Sequence, residues 1–267
     1  MDKKTLFAIA TVILLGAAYA AYEFWQHSHP TLDIVQSKNT SPALPATQPA
    51  PPAPVADQPT EAALARPPLP KLTESDSFVL GSISDLVGNK TLMKLFLGNR
   101  VIHNIVATVD NLPQRQVPAK IVPFNSPSGH FLTTGTGEHL TISPRNAARY
   151  TNYVKLAEAV DAKKLVELYV TLYPLFQQSY AELGYPNKNF NDQLNDTLDD
   201  LLDTPDLKEP INLVQPKYFY QYADPDTEAL SIGERIMLRL GGKNQKIVRN
   251  KLNEIKQELA SHGNELK

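Results

Sequence analysis

Residues Ala162 to Leu183, AKKLVELYVTLYPLFQQSYAEL, decide the fold class. Leu165, Leu168, Leu172, Leu175 and Phe176 return at helical spacing and make a core-facing stripe. Tyr169, Tyr173, Tyr180 and, one turn on, Gly184 recur along a neighbouring stripe. Gly184-Tyr185-Pro186 ends the helix, since glycine permits a left-handed cap and proline cannot continue the hydrogen-bond ladder.

The same periodicity runs outward from this helix. Upstream, Ser75 or Asp76 opens a segment whose stripe is Phe78, Val79, Ile83, Leu86 and Val87, closed by Gly88. Asn89 caps a short helix through Leu92, Met93, Leu95 and Phe96, closed by Gly98. A third helix spans about Arg100 to Asn111 with Ile102, Ile105, Val106 and Val109 inward, and Pro113 ends it. Ser143-Pro144 opens another, with serine as cap and proline at the first helical position. Downstream, helices are expected at about Asn191 to Leu202, Ser231 to Leu240 and Asn244 to Leu259. Ile211 to Val214 and Lys217 to Tyr222 read equally as short strands or extended connections.

The clear β signal is Phe131 to Ile142, FLTTGTGEHLTI. A two-residue Gly135-Thr136 turn predicts a hairpin pairing Phe131 with Leu140 and Gly129 with Ile142. The expected fold is therefore mainly α with one small β-hairpin, a compact multi-helix domain over residues 72–260 with a polar tail at 261–267.

The N-terminal quarter is built differently. Lys3 and Lys4 precede an uncharged apolar run from Thr5 to Tyr22, ending near Phe24 and Trp25. About 20 such residues cross a hydrocarbon core, and the preceding lysines favour a cytoplasmic N-terminus. Residues 1–25 are therefore expected to form a transmembrane signal-anchor, embedded through residues 5–25. The competing reading is a signal peptide cleaved after Ala20, but the run exceeds the usual length of such an apolar core. Residues 26–71 form a polar, then proline-rich spacer: ten of the chain's 22 prolines fall between Ser41 and Pro70. Proline there excludes helix and ladder, leaving an extended form that reaches roughly 90 Å at most over thirty residues. A docking motif at Pro49-Ala50-Pro51-Pro52 or Arg66-Pro67-Pro68-Leu69-Pro70 is the alternative to a plain spacer.

Several residue blocks then carry a resemblance. Val106-Ala107-Thr108-Val109-Asp110-Asn111-Leu112-Pro113, Leu168-Tyr169, Tyr173-Pro174-Leu175-Phe176-Gln177, Glu182-Leu183-Gly184-Tyr185-Pro186, Phe190-Asn191-Asp192, Val214-Gln215-Pro216-Lys217 and Ala223-Asp224-Pro225 occur in that order. Over roughly Leu72 to Leu259 the chain resembles the bacterial family catalogued as domain of unknown function 3014. The resemblance implies the same layout of membrane segment, proline-rich spacer and helical domain. It implies no activity, ligand or catalytic residue. The expected setting is the bacterial inner membrane, single-pass, with the bulk of the chain periplasmic.

Composition narrows the chemistry. A formal net charge of -2 argues against a protein that coats nucleic acid, which needs a basic face. The absence of cysteine removes disulfides, thiol catalysis and cysteine-ligated zinc, and with them any lipoprotein anchor. No G-x-S-x-G, Walker A, G-x-G-x-x-G or H-E-x-x-H pattern occurs. Of the six histidines, His130 and His139 share a hairpin face in the expected register, yet two ligands do not make a site, so no metal and no cofactor is assigned.

Asp192, Asp196, Asp199 and Asp203 line one face of a helix, opposite Leu194, Leu198, Leu201 and Leu202, and suit a cation, a basic partner or water. The basic residues Lys243, Lys246, Arg249, Lys251 and Lys256 suit partner docking or a solvated face. The principal candidate is the tyrosine stripe: Tyr169, Tyr173, Tyr180 and Tyr185, joined later by Tyr218, Tyr220 and Tyr222, with Glu182, Asn191, Asp192 and Lys217 as polar neighbours. Such rings stack on sugars or anchor protein partners, or else form a layer at the core edge. The favoured expectation is a non-catalytic envelope protein that binds a protein partner or cell-wall material. The alternatives are an envelope hydrolase acting on glycan or peptide, with Glu182 or Asp192 as acid or base, and a passive spacer between envelope layers.

Overall fold

Caps and terminators set most of the helices. The computed structural model describes residues 68–115, 124–125 and 127–266. The expected transmembrane segment and nearly all of the spacer lie outside the described residues. Among the described residues no helix is long and apolar enough to cross a membrane.

After a 3-10 turn at Leu72–Glu74 come α1 (Asp76–Val87), α2 (Lys90–Met93) and α3 (Val101–Asn111). Gly88 closes α1 at φ 58°, and the Asn89 side chain accepts the N–H groups of Thr91 and Leu92 to start α2. Asp76 also ties α1 to α3: its carboxylate accepts the N–H groups of Arg100 at 2.7 Å and Val101 at 2.8 Å. Two expectations change here. Phe78 is exposed rather than inward. The second helix stops at Met93, because Phe96 turns away to pair edge-on with Phe124, ring centroids 4.8 Å apart.

Strands β1 (Thr133–Thr134) and β2 (Thr141–Ile142) pair Thr133 with Ile142 and Thr134 with Thr141. The expected two-residue turn and its Phe131–Leu140 register are thus corrected. A 3-10 turn at Gly137–His139 folds the loop back so tightly over Gly135, φ 80°, that a Cβ there would strike the His139 carbonyl. Leu140 is released to bond Leu213 instead, the Leu213 N–H donating to its carbonyl at 2.8 Å. The shared face expected for His130 and His139 goes with that register.

Next come α4 (Asn146–Arg149), α5 (Thr151–Ala159), α6 (Ala162–Glu182) and α7 (Phe190–Leu202). Ser143 Oγ accepts the Arg145 N–H at 3.4 Å, as the expected cap would, but Pro144 and Arg145 form a turn, and α4 itself starts at Asn146. Asp161 caps α6 by accepting the Lys164 N–H, and Asn189 caps α7. Helix α6 runs through Pro174, which lacks the N–H that Val170 would accept; burial of Leu172, Leu175 and Phe176 holds the helix together across it.

A second antiparallel pair, β3 (Leu213–Val214) and β4 (Gln221–Tyr222), resolves the ambiguous segments as very short strands. Helices α8 (Pro225–Glu228), α9 (Ile232–Arg239) and α10 (Gly242–Ser261) complete the chain, α9 opening on a Ser231–Glu234 capping box. The described part is thus mainly helical with two small sheets, one more than expected.

The main core forms where α3, α6, α7 and α10 meet, with α5 laid against α10. These helices enclose an apolar cavity of about 70 Å³. A smaller core of Leu140, Leu213, Tyr222 and Leu238 joins the strands to α9. The polar tail is anchored as well: Leu266 is buried, and its carbonyl accepts from Asn189 Nδ2 at 3.0 Å.

Candidate functional site

Tyr169, Tyr173 and Tyr180 project from α6 toward the start of α7, as their spacing requires. There they join Phe176, Phe190 and Tyr185 in one aromatic layer. Tyr169 meets Tyr173 and Phe176 edge-on at 5.8 and 5.3 Å, and Phe176 stacks on Phe190 at 5.7 Å. Tyr180 stacks on Tyr185 at 4.7 Å and tilts against Phe190 at 5.5 Å. The layer also closes the α6–α7 connection. Tyr173 Oη donates to Asn189 Oδ1 at 2.9 Å, while Gln177 accepts the Phe190 N–H and donates to the Lys188 carbonyl, both at 2.8 Å.

The layer has a closed half and an open half. Tyr169 and Tyr180 are buried, and burial raises the pKa of both phenols, that of Tyr180 to about 12 with help from Asp110, Tyr185 and Asp196. The Tyr169 hydroxyl and Asn191 Oδ1 are buried without hydrogen-bond partners. Tyr173 and Tyr185 are only partly buried and bring the layer to the surface.

At that open end sits a corner that joins three helices. Tyr185 Oη donates to Asp110 Oδ2 at 3.4 Å, on α3, and Lys188 Nζ lies 5.0 Å from the Tyr185 ring centroid. Tyr180 Oη donates to Gln193 Oε1 on α7 at 3.4 Å. Burial raises the Asp110 carboxyl pKa, opposed by the Tyr185 hydrogen bond and by Lys188. The negative charge of Asp110 in turn raises the Tyr185 phenol pKa, ahead of burial. The corner thus offers a half-open ring with a carboxylate at its hydroxyl and an ammonium over it.

The other sequence candidates are dispersed. Glu182 is exposed and accepts from Gln178 Nε2 at 2.9 Å. Asn191 is buried in the first turn of α7, and Asp192 beside it is exposed. Lys217 is exposed in the β3–β4 connection, whose strands pack on the Gly137–His139 turn and α8 rather than on the tyrosine layer. On the acidic face of α7, Asp199 pairs with Lys256 of α10. Among the described residues no three His, Asp or Glu side chains gather as a metal group. Two basic residues of α10 are held within the domain: Lys251 is buried against Glu254, and Arg249 donates to the Thr204 carbonyl and to Asp206.

Asp110 is the site residue that sequence reasoning missed. Its signal was an acid directly after the buried Val109, at the edge of the apolar stripe of α3. The family model described as Protein of unknown function (DUF3014) matches residues 101–256, more than half of the chain. No curated protein and no solved structure matches it.

Proposed function

We propose, for a chain that belongs to the DUF3014 family, a non-catalytic binding role in the cell envelope. In this reading residues 5–25 anchor the chain in the bacterial inner membrane, residues 26–71 hold the helical domain off the bilayer, and the domain binds a protein partner or cell-wall material. The observation that carries the binding role is the half-open Tyr185 ring, stacked on Tyr180 and flanked by Asp110 and Lys188. A partly exposed ring with a carboxylate acceptor and an ammonium donor beside it suits a sugar or a polar protein segment. The anchor and spacer rest on the apolar run at Thr5 to Tyr22 and the prolines of Ser41 to Pro70.

The hydrolase reading keeps one supporting observation, the raised proton affinity of Asp110 beside a tyrosine. It moves the acid or base role from Glu182 and Asp192 to Asp110.

Photo-crosslinking in cells from position 185, with exposed Glu167 as the control position, tests the binding role. A discrete protein or glycan adduct at 185 that is absent at 167, and that weakens with Asp110→Asn, is expected. Equal labelling at both positions, or none, overturns it in favour of a passive spacer.

A further inference from the structure

A cleft of about 800 Å³ separates the helical bundle from the smaller β core. Its size falls within the roughly 300–1,000 Å³ of small-ligand sites, and its position between two packing units is a common one for them. Thr134 and Thr141 line it from the sheet, Thr151 from the start of α5, and Arg239 and Lys243 from the α9–α10 connection. Its apolar lining is Ile142, Pro144, Ala147, Ala148, Ile211 and Leu238.

The charges in the cleft are unequal and differently held. The Arg239 guanidinium is held by two aromatic rings, 5.5 Å from the centroid of Phe131 and 6.0 Å from that of Tyr222, and also hydrogen-bonds the Tyr222 hydroxyl. Lys243 is exposed at the rim. The lining contains one carboxylate, Glu209, and it is already engaged, its Oε1 accepting the Gly242 N–H at 3.3 Å. An exposed ammonium and a guanidinium held by Tyr222 therefore outnumber one engaged acid in a lining of hydroxyls and short apolar side chains.

We propose that this cleft binds the carboxylate end of a short peptide with small apolar side chains. Lys243 takes the carboxylate within the positive field of Arg239, the Thr134 and Thr151 hydroxyls bond the peptide backbone, and the Ala147–Ala148 wall receives side chains of alanine size. A bare inorganic anion would use the cations and leave the apolar wall idle, so the peptide accounts for more of the lining. No residue of this cleft belongs to the tyrosine corner, so this inference and the envelope-binding role fail separately.

The test is calorimetric titration of the full chain in detergent with tri-alanine, with its C-terminal amide, and with inorganic phosphate. Tri-alanine is expected to bind about tenfold more tightly than the amide. Lys243→Glu, at an exposed position, weakens tri-alanine binding by about the same factor while the circular dichroism spectrum is unchanged. Glu209→Gln, which removes the competing carboxylate, strengthens it. Equal binding of acid and amide, no binding at millimolar peptide, or insensitivity to Lys243→Glu overturns the proposal. Phosphate binding as tight as tri-alanine overturns the peptide assignment in favour of a simple anion site.

Discussion

Asp200 stands on the flank of the acidic face of α7, turned toward the neighbouring helix, where its carboxylate accepts from Ser231 Oγ at 2.7 Å. Burial pushes its pKa up to about 6, with Glu234 and Asp203 adding repulsion and the Ser231 hydrogen bond opposing. The folded chain therefore holds this proton more tightly than the unfolded chain, whose carboxyl titrates near 3.8. Stability from this group is fully present below about pH 4 and is lost as pH rises through about 6. Asp200→Asn keeps an acceptor for Ser231 and removes the titration. The variant is expected to be more stable than the parent by about 1–2 kcal/mol at pH 7.5, because solvent partly screens the charge. The gap should close near pH 4, as urea melts across that range will read. Asp110 and Asp200 share one lesson. Each lies one step from a face that the spacing made obvious, and only the approach of another helix distinguishes it from a solvated acid.

At the scale of elements, helices were legible and strand register was not. Asn89, Asp161, Asn189 and Ser231 each cap a helix through a local hydrogen bond, so a few adjacent residues carry the signal. The β1–β2 register depends instead on where Leu140 goes, and it goes to Leu213, 73 residues along by sequence number. Close approach between elements is likewise tertiary. Gly233, in the first turn of α9, donates its N–H to the Leu112 carbonyl at 2.9 Å, and a Cβ there would stand 2.5 Å from Leu201 Cδ2 and 3.3 Å from that carbonyl. Gly233→Ala is expected to cost about 1–3 kcal/mol by forcing α9 off α7. Chemical denaturation should show a lower midpoint with unchanged slope, and an unchanged midpoint would mean that the α7–α9 contact yields easily.

Over the described part of the molecule, Leu266 braces the fold against the α6–α7 connection. Leu266 is buried, and its carbonyl is tied to Asn189, the residue that also caps α7 and accepts from Tyr173. The end of the chain, the α6–α7 connection and the tyrosine layer are thus one connected unit. Leu266→Ala is expected to destabilise the domain by about 2–3 kcal/mol and to increase hydrogen exchange at the α6–α7 connection before it does so in α3. Exchange that rises uniformly would show that the tail does not brace the tyrosine layer selectively.

The sequence by itself determined the helical class, most helix boundaries and the stripe that carries the tyrosines. Those follow from periodicity and caps, which act within a few residues of one another. Only the tertiary structure decided that Tyr180 is closed in while Tyr185 stays half open, that Asp110 joins them, that Lys217 stands elsewhere, and that a cleft opens between the bundle and the β core. Those facts depend on which helix faces meet, and burial, hydrogen bonding and proton affinity are set by partners far away along the chain.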